Sequence, residues 1–401
     1  MIVPILPHLP KYFSHAVKKQ LGEFYVAITI ADFAVALMIL FEPIYFVVAL
    51  GWDLTKILLF FAAVYFFYIL FVPYGAALAS KKGYKHALVY NIPFQVGYWL
   101  MLFYLPGHEK FVIVAAAFLA MQKAFFWPAF QAELARFSDS DQRGRESSLA
   151  WSIASFTYII GPFIGGFISE NFGVRALLIV AAAVYFTMFI PIFASPDAVD
   201  KKPYRFRDTL SYYRRFPREG LVYAGFGEEL VMLAAWPVFI FSLVPDFMDL
   251  GLLVAGATLF ATLVMLYVGK IVDKGESRQS LKLGVTGSIV AWLSRFLIST
   301  AGAVFIVDSL LRITRNLFFI PITKFIYDRA NDEKIMAYVV FFEQTLSIGK
   351  LAAALAGALV FYLTESYGAV FVLAAAFTLL YLFLPFKTKI SLQGNILKAG
   401  R

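Results

Sequence analysis

Two apolar stretches of this sequence carry ionisable side chains at helical spacing. Between residues 303 and 326, Asp308, Arg312 and Arg315 fall at i, i+4 and i+7. Between 337 and 362, Glu343, Ser347 and Lys350 repeat that spacing. On a helix each trio shares one face, so each makes a polar stripe toward a cavity or a partner helix. Lys123 stands at the centre of another apolar stretch, 110–132, while Asp32, Glu42, Glu228, Glu229 and Arg295 stand in others. In a bilayer each such ion is costly unless paired or hydrated, which makes it a candidate for function. Five bases (Lys123, Arg295, Arg312, Arg315, Lys350) nearly balance the acids (Asp32, Glu42, Glu228, Glu229, Asp308, Glu343), which favours pairing over net charge in lipid. The chemistry open to this set is proton uptake and release by Asp32, Glu228, Glu229 or Glu343. Burial brings a carboxyl toward working pH, and the central cations hold a substrate anion or a deprotonated carboxylate. A set of structural salt bridges is the alternative, and it suits the off-centre Glu42 and Arg295 better.

The stretches that must position these groups are membrane helices. The chain is 61% hydrophobic and only 15% charged, with a mean hydropathy of +0.76. Soluble domains carry about 25% charged residues, so the polar surface here is too small to cover a water-soluble globule. A span needs about 20 mostly apolar residues. Breaks of charge, Pro and Gly leave twelve of them, near 21–49, 57–79, 87–105, 110–132, 147–169, 174–194, 220–244, 250–270, 282–301, 303–326, 337–362 and 368–386. The first run is too long for the core of a signal peptide and reads as a membrane helix. There are no cysteines, and the four histidines (His8, His15, His86, His108) sit in the N-terminal tail or in loops. Thiolate chemistry is thereby excluded, and no cofactor or metal is expected.

The net charge of +9 has a topological reading rather than a nucleic-acid one. Of 35 Lys and Arg, 27 fall on the side that would hold both termini and every even-numbered loop, and Lys56, Lys110 and Arg175 fall on the other. The positive-inside bias places both termini in the cytoplasm. The longest loop on that side, 195–219, is basic and aromatic and lies near mid-chain. It reads as a linker with a short surface helix around Leu210–Arg215.

The two sides of that linker repeat one another. Ala76-Ala77-Leu78-Ala79-Ser80-Lys81-Lys82-Gly83-Tyr84-Lys85 aligns with Gly269-Lys270-Ile271-Val272-Asp273-Lys274-Gly275-Glu276-Ser277-Arg278 at an offset of 193 residues. The same offset pairs Phe125-Phe126-Trp127-Pro128 with Phe318-Phe319-Ile320-Pro321, and Arg136 with Arg329. An offset of 195 pairs Ser169–Gly173 with Thr364–Gly368. Both halves start on one side of the membrane, so the repeat is parallel.

Over almost its whole length the chain resembles the major facilitator transporters. The loop after the second span is similar to the family's Gly-x-Leu-Ala-Asp-Arg-x-Gly-Arg-Lys motif through Leu78, Ala79, Lys81, Gly83 and Lys85, but Ser80 stands where Asp is usual. The equivalent loop in the second half matches at Gly269, Ile271, Asp273, Lys274 and Arg278, with Glu276 in place of Gly. The resemblance implies a gate in which Asp273 pairs with Arg329, while Arg136, facing a Ser, makes a weaker lock. Gly161-Pro162-Phe163-Ile164-Gly165-Gly166, preceded by Thr157, resembles the Gly-Pro-x-x-Gly-Gly motif of the family's exporters and antiporters. Its alternative is ordinary small-residue helix packing. Lys123, in Leu119-x-x-x-Lys123, stands where a family motif has an Arg tied to proton coupling.

Enzyme classes fit less well. Gly225-Phe226-Gly227-Glu228 resembles the Gly-x-Gly-Asp of membrane aspartyl proteases but has Glu for Asp, and its Tyr327-Asp328 counterpart falls at a helix end. No His-Glu-x-x-His, Gly-x-Ser-x-Gly or phosphate-binding loop is present. A sensor or scramblase on the same fold stays open. The expectation is an all-α membrane protein of two six-helix halves, 1–194 and 220–401, joined by the 195–219 linker. It would be a monomeric multi-pass permease of the cell membrane, with lipid around it and no nucleic-acid partner. Alternating access would move a small-molecule substrate, with H+ as coupling ion. The first reading is proton-coupled export of a small organic compound, and the second is uptake of an organic anion.

Overall fold

A computed structural model of the chain describes residues 19–137, 143–193, 204–272 and 277–385, with side chains for 22–135, 156–193, 204–265 and 277–385. All regular structure among them is helical. Span one runs Lys19–Met38 and, after a two-residue break, Phe41–Leu50. Span two is Leu54–Lys82, and span three is Tyr84–Ala87, a 3-10 turn at Leu88–Asn91, and Ile92–Tyr104. Spans four to six are Val112–Phe137, Arg143–Phe172 and Val174–Phe186. A separate linker helix, Phe206–Arg215, precedes span seven, which has two segments, Pro217–Ala224 and Gly227–Leu243. Spans eight to twelve are Phe247–Val272, Ser277–Ser294, Ala301–Asp332, Ile335–Thr364 and Tyr367–Leu379.

Each expected span has its helix. Span ten runs past the expected end at 326, because Arg329 and Asn331 find partners that hold another turn and a half in place of apolar burial. The linker helix begins four residues earlier than Leu210, at Phe206. Pro128 and Pro321, matched in the repeat, lie at corresponding places inside spans four and ten. Gly51 at φ 63 ends span one, and Gly83 at φ 97 turns span two into span three, conformations that cost a side chain but not glycine. Asp53, Thr300 and Ser366 cap spans two, ten and twelve by accepting a backbone N–H three residues on.

Among the described residues, the helices of seven spans (one, two, four, six, seven, eight and eleven) are long and apolar enough to cross a bilayer unaided. Span ten has the length, but Asp308, Arg312 and Arg315 interrupt its apolar run. Large apolar side chains such as Phe66, Tyr74, Phe167, Leu263 and Leu359 are exposed around the rim, as lipid-facing residues are.

Spans one to six and seven to twelve form two six-helix bundles. In the first, span two packs on four and one on five; in the second, nine packs on ten and seven on eleven and twelve. The bundles meet where span two lies along span eleven and span five along span eight. Shifting every index by six exchanges these two seams, as a parallel repeat requires. At the second seam the backbones touch. A Cβ on Gly166 would stand 2.5 Å from the Phe247 carbonyl oxygen, and one on Gly251 2.4 Å from that of Pro162. Only small residues allow that approach.

Candidate functional site

Four of the expected ions, Glu228, Glu229, Arg315 and Lys350, gather in one linked layer. On span seven, Glu228 and Glu229 project from the first turn of Gly227–Leu243 toward span ten. Arg315 Nε donates to Glu228 Oε1 at 3.1 Å, and its Nη2 lies 3.3 Å from Glu229 Oε1. From span eleven, Lys350 Nζ meets Glu229 Oε2 at 2.7 Å. The result is a chain of alternating charge, Glu228, Arg315, Glu229, Lys350, across three helices. Tyr381 of the 3-10 turn after span twelve donates to Glu228 Oε1 at 3.5 Å. With Glu228 only 1% exposed, this pairing is what lets the carboxylate reside there at all, since an unpaired buried charge costs several kcal/mol.

A second pair lies toward the face opposite the linker helix. Arg312 Nε donates to Asp308 Oδ2 at 2.7 Å within span ten, and Trp236 Nε1 donates to Asp308 Oδ1 at 2.9 Å. The i, i+4, i+7 stripe therefore splits. Asp308 and Arg312 satisfy each other along the helix, while Arg315, one turn on, reaches across to span seven. Arg295 is enclosed within the second bundle, its guanidinium carbon 3.7 Å from the Trp236 ring centroid and 3.9 Å from that of Trp292. Both rings present their negative faces to the cation.

The first bundle brings fewer charges and no ion pair to this layer among the described residues. Lys123 Nζ lies 5.9 Å from the Tyr65 ring and Lys350 Nζ 5.3 Å from the same ring, so one tyrosine ring neighbours ammonium groups of both bundles. Lys123 is in electrostatic range of Glu42, Glu229 and Glu343. Asp32 on span one shares the range of Tyr158 with Glu229, which puts it beside the layer but outside the pairing. Glu343, 3% exposed, has no cation within salt-bridge distance among the described residues. Its Oε2 instead accepts from Tyr68 OH of the other bundle at 2.9 Å. Next to it, Gln344 Nε2 donates to the Ile69 carbonyl at 3.0 Å. Ser347, third member of the span-eleven stripe, is turned back on its own helix and donates to the Glu343 carbonyl at 2.6 Å.

Hydrogen bonds join the bundles on both sides of this layer. On the linker side, Tyr327 OH donates to Gln131 Oε1 at 2.7 Å and Asn331 Nδ2 to the Ala135 carbonyl at 2.8 Å. On the far side, the Phe247 N–H donates to Glu170 Oε2 at 3.1 Å. The bundles are thus tied to each other on both sides of the layer.

The expected gate residues are more scattered. Ser80 is buried at the end of span two, and its Oγ accepts the Tyr204 N–H at 3.0 Å. The usual Asp there is thus replaced by a group that anchors the linker. Lys81 is exposed, Gly83 forms the turn, and Lys85 pairs with Glu23 at 2.9 Å. Gly161 packs on Ala36 and Pro162 on Gly251. Arg278 is exposed in the first turn of span nine. Asp273, Lys274 and the Arg136 side chain lie outside the described residues. Arg329, expected opposite Asp273, holds Glu219 through Nε and Nη2 at 3.1 and 2.9 Å, and Tyr338 OH donates to the same carboxylate at 2.5 Å.

Sequence reasoning missed Tyr65, Tyr68, Trp236 and Glu219. Tyr65 and Tyr68 at i and i+3 share a helix face, a signal lost among 22 tyrosines. A cleft of about 380 Å³ between the linker helix and the turn at 332–334 is crossed by the Arg215–Glu333 and Lys334–Asp208 salt bridges and lies apart from the charged layer.

A sequence model of the Major Facilitator Superfamily matches residues 24–307. No curated protein matches the chain in sequence. Among solved structures it is similar to a mutant of the nucleoside transporter NupG, at 14% identity with a TM-score of 0.66 over 90% of this chain and 98% of that one. It is also similar to a D-xylose-proton symporter, at 12% identity with a TM-score of 0.69 over 91% and 98%.

Proposed function

Because this chain belongs to the major facilitator superfamily, and so is a multi-pass membrane transporter rather than an enzyme, we propose that it couples proton movement to the export of a small organic compound. Residues 1–194 and 220–401 are the two rocking bodies, joined by 195–219. The linker side faces the cytoplasm, in keeping with the charge bias of the loops. Substrate is held in the layer of Tyr65, Lys123, Glu229, Arg315 and Lys350.

The observation that carries the coupling is the Tyr68–Glu343 hydrogen bond across the seam. Every other acid on the second bundle's side of the layer has a cation; Glu343 has a tyrosine from the opposing bundle. While Glu343 is charged, parting the bundles would strip a buried carboxylate of its donor, at the cost of an unmet buried charge. A proton on Glu343 removes that penalty and frees the seam. Proton occupancy and bundle separation are then one equilibrium, which is what coupling means. The export direction rests on the resemblance of Gly161–Gly166 to the family motif; their tight packing on spans one and eight is equally what small-residue helix contact gives. Uptake of an organic anion is the weaker reading, because Arg312, Arg315 and Lys350 each already hold a carboxylate.

A thermal-stability screen of nucleosides, sugars, organic cations and organic anions on purified protein identifies a cargo, since a ligand of the folded state raises apparent stability by mass action. That compound is then followed in proteoliposomes. Wild type should accumulate it under an imposed pH gradient. Glu343→Gln should lose gradient-driven accumulation and keep counterflow. A wild type indifferent to the gradient rejects proton coupling; a variant with full gradient response rejects Glu343 as the carrier.

A further inference from the structure

The linker helix carries a surface the transport reading does not use. Its inner face is fixed to span eleven. Thr209 Oγ1 donates to the Ala337 carbonyl at 3.0 Å, Tyr213 OH donates to Gln344 Oε1 at 3.1 Å, and Tyr212 is buried against Phe341. Burial pushes the Tyr213 hydroxyl up to about 12, so it keeps the proton it donates. At its start the Tyr204 N–H is held by Ser80 of span two. The helix therefore lies flat at the foot of the two–eleven seam, at the perimeter of the bundle.

Its outer face is apolar and basic together. Phe206 and Leu210 are 42% and 51% exposed and lie at i and i+4. Arg207 and Arg214 are exposed beside them on the same arc, and Arg205 and Arg218 are exposed at the two ends. None of these four arginines has an ion-pair partner among the described residues. Of the carboxylates nearby, Asp208 is paired with Lys334, Glu333 with Arg215 and Glu219 with Arg329, and Asp332 lines the cleft beside Tyr212 and Arg215. The outward charge is therefore positive.

We infer that this face is a docking surface for the anionic headgroups of the adjoining leaflet, with Phe206 and Leu210 seated at the acyl boundary and Arg207 and Arg214 on lipid phosphates. A helix with exposed apolar residues flanked by arginines has the pattern that lies in a membrane interface and responds to anionic lipid. The charge and the attachment argue for lipid over a protein partner, because the exposed arginines flank exposed apolar residues on a helix fixed to span two at Ser80 and to span eleven at Ala337 and Gln344. Lipid held here would brace the linker that spans both bundles, between Ser80 on one and Ala337 and Gln344 on the other.

The chain has no cysteine, so Leu210→Cys gives a single labelling site. The labelled full chain is reconstituted in phosphatidylcholine vesicles with and without one-quarter phosphatidylglycerol, each doped with spin-labelled lipid as a quencher. Quenching should be several-fold stronger in the anionic vesicles and should weaken in high salt. Arg207→Gln with Arg214→Gln should reduce it to the zwitterionic level, while the Lys pair at both positions should preserve it. Equal quenching in both bilayers, indifference to the Gln pair, or a label accessible to aqueous iodide in both would overturn the inference. So would protection that arises only on adding another protein. The readout needs no cargo, so it stands or falls apart from the transport reading.

Discussion

The two bundles repeat one arrangement of helices but differ in how they hold charge. The second carries a linked chain, Glu228–Arg315–Glu229–Lys350, with Asp308–Arg312 and a caged Arg295 beside it. The first brings Asp32 and Lys123, which have no ion-pair partner among the described residues, and the hydroxyls of Tyr65 and Tyr68. One body is thus electrostatically braced within itself, and the other meets it with neutral donors and a lone ammonium. The difference is useful for a machine that must open. Ion pairs within one bundle survive the parting of the two. The polar contacts named across the seam are single hydrogen bonds, each worth about 0.5–1.5 kcal/mol, set in tight small-residue packing, and can be exchanged at each cycle.

The largest effect should come from cutting the braced chain. Arg315→Ala removes the cation between Glu228 and Glu229 and leaves Lys350 on Glu229 alone, and removing one partner of a buried pair costs about 3–5 kcal/mol. Thermal unfolding of the purified variant should show that loss, and transport should be abolished while the protein still inserts. Adding Glu228→Gln should restore much of the stability and none of the transport, because the double change removes the stranded charge without replacing the cation. A single variant of wild-type stability would mean the chain is not the brace it is taken to be.

Smaller, and sharper as a comparison, is the pair of lysines around Tyr65. Lys350→Gln strips Glu229 of its closest cation, so it should cost stability by about 2–3 kcal/mol. Lys123→Gln strands no carboxylate and should fall within about 1 kcal/mol of wild type. Both should depress transport several-fold if the two ammonium groups flank cargo. Transport unaffected by Lys123→Gln would confine the cargo site to the second bundle.

How much of this was legible before the fold was known follows from distance along the chain. The twelve spans were readable because apolar length is a local property. So was the common face of Asp308 and Arg312, four residues apart. That Arg315 would turn to span seven instead was not legible, because its partners lie 87 and 86 residues away and spacing says nothing of which helix comes alongside. Glu343 stood out as an ion in an apolar run, but its partner Tyr68 is 275 residues distant and chemically unremarkable among the tyrosines. Ser80 registered as a departure from a motif. Its use, as the acceptor for the Tyr204 N–H, depends on the linker folding back over span two, which no residue type announces. Glu219 was placed at the tail of the linker, and the structure makes it the partner of Arg329.

The smallest effect tests the seam itself. Tyr68→Phe removes one hydroxyl from a contact of 2.9 Å and leaves the ring, which fills the same space. Global stability should drop by about 1 kcal/mol, the worth of one hydrogen bond to a buried polar group. Because the bond joins the bundles, its loss should act on their separation as well as on unfolding. A pair of fluorophores placed at the linker-side ends of spans four and ten should report a larger open population in Tyr68→Phe than in wild type. In a double-mutant cycle with Glu343→Gln, the two changes should be non-additive by about 1 kcal/mol, since each removes the same contact. Strict additivity would show that Tyr68 and Glu343 act separately. The braced bundle and the exchangeable seam would then differ in charge alone and not in role.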